Sequence, residues 1–168
     1  VTPRTLVVLV GHGAPATDCP RELVSKLKAL EGRRRASGAP LGDEERALDE
    51  QVRRWPRTPQ NDPYREGLFA LAETLRPRLG DRDLEVAFNE LCAPSIEEVC
   101  EAAIARGARR IVLVTTMVTR GGIHAEGEIP ETVAELQQRH PEATLRYAWP
   151  FGIDAVADLL ADRACAEG

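Results

Sequence analysis

Four apolar runs, each about the length of one strand, alternate with stretches of helical periodicity in this chain, and few architectures accept that order. The runs are Thr5 to Val10, Leu84 to Phe88, Arg110 to Thr115 and Thr144 to Ala148. Ile111-Val112-Leu113-Val114 is apolar at every position, which suits a central strand covered on both faces. Strand, helix, strand, helix, strand predicts a right-handed parallel sheet with helices on both sides. The helix after the second run is the best signalled. Ser95 is its N-cap and Glu98 follows three residues on, a capping box. Ile96, Val99, Cys100, Ala103 and Ile104 then fall at helical spacing, and Gly107 is a natural stop. Pro130 suits the first turn of another helix, which runs towards His140 and is blocked by Pro141. A last helix follows Gly152. The expected fold class is α/β, a four-stranded parallel sheet flanked by helices.

The connection from the first strand to the second, Gly11 to Asp83, is far longer than one crossover helix needs. It holds three helical segments, about Arg21 to Glu31, Asp43 to Arg54 and Tyr64 to Leu79. Between them lie Gly32-Arg33-Arg34-Arg35, read as a solvated helix end, and the proline-rich stretch Trp55 to Pro63. An excursion of this length is a functional lid or a disordered segment. The expectation is one domain over 1–168, with a helical insertion at about 19–63 after the first strand.

The formal net charge of -5, from 22 basic and 27 acidic side chains, argues against non-specific nucleic-acid binding. The four cysteines, Cys19, Cys92, Cys100 and Cys165, form no Cys-x-x-Cys pair and read as reduced thiols. No apolar run approaches the roughly 20 residues of a membrane span, and no signal-peptide pattern opens the sequence. These points predict a soluble, cytoplasmic protein.

Ligands of open α/β sheets bind outside the carboxyl ends of the strands. Gly11-His12-Gly13 follows the first strand, Glu90 lies two residues beyond the second, and Gly121-Gly122-Ile123-His124 follows the third. His12, Glu90 and His124 are therefore candidate catalytic and metal-ligating residues. Two imidazoles and a carboxylate suit a borderline divalent ion, and the same groups suit acid-base work near neutral pH. Gly13, Gly121, Gly122 and Arg120 are candidate substrate-binding residues. Arg120 is either a partner for a substrate carboxylate or a solvated loop residue, and Gly121-Gly122 either an anion nest or a tight turn. Trp55, Tyr64 and Phe69 are aromatic candidates for a ligand pocket, with core packing favoured for Phe69, and His140 reads as a structural helix end. A hydrolase lacks its Gly-x-Ser-x-Gly elbow here, and a nucleotide-binding module its Gly-rich loop.

Three motifs in this order resemble those of the sirohydrochlorin cobaltochelatases and ferrochelatases, the small class II tetrapyrrole chelatases: Gly11-His12-Gly13, Phe88-Asn89-Glu90-Leu91 with Pro94-Ser95, and Gly121-Gly122-Ile123-His124 with Glu128-Ile129-Pro130. The resemblance covers about Thr5 to Val10 and Tyr64 to Gly152. It implies a chelatase-like, flavodoxin-like half unit in a homodimer. It also implies insertion of a divalent metal into sirohydrochlorin or a relative, with His12, His124 and Glu90 at the active site. No permanent cofactor is expected, and the metal is substrate: Co(II) or Fe(II), with Ni(II) as third candidate. A metal or tetrapyrrole carrier on the same fold is the alternative. The chain departs from the family pattern in Ala14, where serine is usual, in Glu128, where aspartate is usual, and in the excursion of Cys19 to Pro63.

Overall fold

The computed structural model describes residues 4–166, so residues 1–3 and 167–168 of the expected 1–168 unit lie outside the described residues. The elements in chain order are β1 (Thr5–Gly11), α1 (Arg21–Ser37), α2 (Asp43–Arg53), α3 (Pro63–Leu75), β2 (Asp83–Phe88), α4 (Ile96–Ala105), β3 (Arg110–Thr115), α5 (Ile129–Arg139), β4 (Thr144–Tyr147) and α6 (Ile153–Cys165). A short 3-10 turn, Arg76–Arg78, follows α3, and a π-helical turn, His124–Glu128, leads into α5. The four expected strands and the capping box of Ser95 and Glu98 are present.

All strand pairs are parallel and the sheet order is β2-β1-β3-β4. β1 thus lies between β2 and β3, with Leu9 opposite Val86 on one side and Val114 on the other. The chain leaves β1 for one side, then crosses back past it to β3. That reversal is a topological switch point, where the loops diverge and open a crevice at the carboxyl edge. The loops after β1, β2 and β3 all emerge there.

Strand alternation divides the core into two layers. Leu6, Val8 and Val10 face α4 and α5, together with Ile111, Leu113 and Leu145. Val7 and Leu9 face α3 instead, packed with Leu68, Ala72, Val86 and Phe88. Each such side chain contributes about 1.5–3 kcal/mol when fully buried, so the two layers fix the strand register firmly. α3 starts at Pro63, with the Asp62 carboxylate accepting the Arg65 backbone N–H at 2.9 Å.

The excursion has a small core of its own. Leu27 of α1 and Leu48 and Val52 of α2 bury against Ala16, Cys19 and Leu91. Its two ends meet where the Thr17 backbone N–H donates to the Asn61 carbonyl at 2.7 Å. α1 runs on through Ser37 rather than stopping near Glu31. Gly32 stays helical, and the stop is Gly38 at φ 67, a left-handed position that glycine adopts freely. Arg34 is not merely a solvated end: its Nε donates to the buried Glu45 carboxylate at 2.8 Å and ties α1 to α2. α3 ends short of Leu79 because Pro77 has no N–H to continue the helix.

The cysteines are free; burial pushes the Cys92 thiol up to about 11 and the Cys100 thiol up to about 12. The expected last helix is α6, but none of its residues is buried, and Ile153, Leu159 and Leu160 are exposed. Among the described residues no helix is long and apolar enough to cross a membrane.

Candidate metal site at the carboxyl edge of the sheet

The hydrogen-bonding pattern of β1 and β2 continues past both strands. Asn89 donates its backbone N–H to the Gly11 carbonyl, and Glu90 donates to the His12 carbonyl, each at 2.9 Å. This holds Glu90 beside His12. The approach is so close that a Cβ on Gly13 would lie 1.8 Å from the Glu90 carbonyl oxygen, and Gly13 sits at φ +95. Only glycine fits there. The Tyr64 hydroxyl accepts the His12 backbone N–H at 2.8 Å and fixes the loop from the α3 side.

The two imidazoles are oriented by different partners. His12 Nδ1 lies 2.7 Å from the Gly13 carbonyl, which can only accept, so Nδ1 carries the proton and Nε2 keeps its lone pair. Nε2 in turn lies 3.4 Å from Glu90 Oε1. His124 Nδ1 lies 2.6 Å from Glu128 Oε2, an oxygen that also accepts from Asn89 Nδ2 at 2.7 Å. A carboxylate behind the imidazole fixes its tautomer and raises its basicity as a ligand. Burial pushes the Glu128 carboxyl up, but hydrogen bonds from His124 and Asn89 and the charges of His124 and Arg35 outweigh this and hold it below its ordinary value. The two rings meet edge to face, with centroids 4.6 Å apart.

The structure thus brings His12, Glu90 and His124 together, with one possible ligand atom from each and all of these within 4.8 Å of one another. A first-row divalent ion with bonds of about 2.0–2.2 Å reaches ligand atoms up to roughly 4.4 Å apart, so inward shifts of a few tenths of an ångström would seat one. Three such ligands would leave coordination positions open. Glu90 is 8% exposed, and burial of an unpaired carboxylate would be costly. Its partner is Lys28 of α1, whose Nζ lies 2.7 Å from Glu90 Oε2 and 3.0 Å from Glu31. Arg35 pairs with Glu128. Lys28 and Arg35 share a face of α1, since seven residues make about two helical turns.

Arg57 anchors the excursion beneath the site. Its Nε donates to the Trp55 carbonyl, Nη1 to the Ala14 carbonyl and the Asp62 carboxylate, and Nη2 to the Val52 and Leu91 carbonyls. Its donors are thereby all used. Leu91, next to Glu90, is held at φ 61, a left-handed conformation costly for a bulky residue. A cleft of about 520 Å³ opens between the α1–α2 hairpin and the start of α5, with Arg34, Arg35, Glu45, Asn89, Glu90 and Glu128 among its walls.

The other sequence candidates fall elsewhere. Arg120 is exposed and pairs with Glu126 at 3.2 Å rather than with the three central residues. Gly121 adopts φ +85, and a Cβ added at Gly121 or Gly122 would meet open space. Trp55 donates to Asp18 at 3.0 Å, and Phe69 packs on Phe88 with ring centroids 6.4 Å apart. His140 ends α5 beside Glu142. Sequence reasoning passed over Lys28, and gave neither Asn89 nor Glu128 its role behind His124. The spacing of His124 and Glu128, four residues apart ahead of a helix, was the available signal.

A parallel α/β sheet that gathers two imidazoles and a carboxylate at its switch-point edge defines a metal-handling class of protein. Residues 60–167 match the family CbiX, and the chain belongs to that family, the sirohydrochlorin chelatases. It is similar to the sirohydrochlorin ferrochelatase of Priestia megaterium, 39% identical over 80 residues that cover 47% of this chain and 30% of the relative. It is also similar to the sirohydrochlorin cobaltochelatase of Methanocaldococcus jannaschii, 32% identical over 79 residues that cover 46% of this chain and 54% of the relative. The chain therefore spans about half or less of the length of these curated relatives. The crystal structure of a CbiX protein from Marinobacter aquaeolei VT8 shares the fold, with a TM-score of 0.57 at 17% identity and coverage of 97% of this chain and 93% of the other.

Proposed function

We propose that this protein is a chelatase that inserts a divalent metal ion into sirohydrochlorin or a related tetrapyrrole. The observation that carries the reading is the convergence of His12, Glu90 and His124 within 4.8 Å. Family membership and the names of the relatives, one a ferrochelatase and one a cobaltochelatase, support it and make Fe(II) and Co(II) the first metals to try. Metal insertion expels two pyrrole N–H protons. In this reading the Nε2 lone pairs hold the incoming ion and then accept protons. Glu90 offsets the ion's charge as its water leaves.

The test is an anaerobic absorbance assay with sirohydrochlorin and Co(II), Fe(II) or Ni(II) in turn. Protein-dependent acceleration over the spontaneous reaction is the expected result. Tight binding of metal or macrocycle without acceleration would make the protein a carrier instead.

The reading extends to a cytoplasmic homodimer. The exposed apolar face of α6, with Ile153, Leu159 and Leu160, supports association with a second copy. Sedimentation equilibrium should return twice the chain mass of 18.4 kDa, and a monomer at tens of micromolar would refute it.

A further inference from the structure

Glu90 is the one carboxylate among the three central residues, and the excursion has already placed a cation on it. Lys28 Nζ lies 2.7 Å from Oε2, leaving Oε1 turned towards His12 Nε2 at 3.4 Å. Lys28 is itself braced by Glu31 at 3.0 Å, one helical turn on. A divalent ion seated between His12, His124 and Glu90 would meet a resident ammonium across the same carboxylate. It could take Oε1 alone, against the repulsion of Lys28, or displace Lys28 and take both oxygens. Either course weakens the hold on the metal relative to a site without the lysine.

We propose that Lys28 is a built-in competitor for the metal: a fixed counter-cation from the inserted helix that holds Glu90 in place while setting metal affinity low enough for release. The inference rests on the reading of the three central residues as a metal site. It assigns to the excursion a direct role in metal affinity, because α1 supplies a charge that no part of the sheet contributes. Sites that pass a metal on gain nothing from tight retention, and a fixed positive charge lowers affinity for every divalent ion without altering the ligand set.

The experiment is a titration of the tetrapyrrole-free protein with Co(II), followed by absorbance and calorimetry, with folding monitored by circular dichroism. Lys28→Met should bind Co(II) about tenfold more tightly than wild type, and a chelator should strip it correspondingly more slowly. Lys28→Gln, which keeps a hydrogen-bond donor and loses the charge, should show the same gain. Lys28→Arg should stay within about threefold of wild type, since its charge is retained. In a Glu90→Gln background the gain from Lys28→Met should vanish, because the two act through one contact.

Unchanged or weaker binding in folded Lys28→Gln, or a gain that persists in the Glu90→Gln background, would overturn the proposal. If wild type binds Co(II), His12→Ala abolishes that binding, and the lysine variants do not differ from wild type, only this inference fails. If Co(II) binding is absent from wild type or indifferent to His12→Ala, the metal-site reading fails with it.

Discussion

Metal insertion by His124→Ala is expected to fall by at least about a hundredfold, the lower end of what a positioned acid-base group supplies. On the proposed chemistry the variant loses one of two imidazole ligands and one of two proton acceptors. It also leaves Glu128, held by Asn89 at 2.7 Å and by Arg35, with nothing to orient. His12→Ala should behave alike, because its Nε2 is the ring nitrogen left free by the Gly13 carbonyl. Glu128→Gln should be milder, with Co(II) affinity lowered about 10–100-fold, as for other partners standing behind a ligating histidine. Insertion rates and a Co(II) titration check all three. Wild-type-like insertion by either alanine variant would remove the basis for the proposed chemistry. Neither histidine is fully buried, with side-chain exposures of 38% for His12 and 22% for His124, so the folded state should survive both changes.

The largest loss of stability is expected at Arg57. Arg57→Met should lower the unfolding free energy by about 3–5 kcal/mol, the range for breaking one partner of a buried pair. The carboxylate left behind, Asp62, is 1% exposed at its side chain and would keep a charge with no counter-ion. Backbone carbonyls of Ala14, Val52, Trp55 and Leu91 would lose donors at the same time. Arg57→Lys should recover only part of this, since an ammonium cannot reproduce the planar fork. Urea denaturation measures the effect, and the double variant with Asp62→Asn should cost less than the sum of the single changes. A loss below about 1 kcal/mol would show that the pair is a surface-like contact despite its burial.

The parts of this molecule that were legible in its sequence are those set by local patterns. β3 was readable because four successive apolar residues admit little but a buried strand, and α4 because Ser95 and Glu98 announce its start. His12, Glu90 and His124 stood out because each follows a strand end, and strand ends of a parallel sheet share one edge. Spatial order was not readable: nothing local to β1 says that it pairs with both β2 and β3. Nor was the link between α1 and the site. Lys28 looks like any solvated helical lysine until a fold 62 positions further on turns Glu90 towards it. The reach of α1 was underestimated for a similar reason. A glycine at position 32 suggests a stop, whereas the ion pair of Arg34 with Glu45 of the next helix stabilises a further turn. Arg57 was hidden in a proline-rich stretch that gave no hint of its five bonds, which depend on the carbonyls of Ala14, Val52, Trp55 and Leu91 and on the Asp62 carboxylate.

The hydrogen bond between Thr17 and Asn61, at 2.7 Å, closes the excursion at its neck. A loop whose ends already touch can be lengthened or shortened without moving what it joins, and doubling such a loop adds only about 0.6 kcal/mol of closure entropy. With its own Leu27, Leu48 and Val52 core, the hairpin of α1 and α2 has the properties of a cassette: separable in architecture, yet delivering Lys28 and Arg35 to the carboxyl edge of the sheet. The sheet can therefore acquire a new set of charges over its candidate metal site in one insertion, with the strands that carry the histidines left in register.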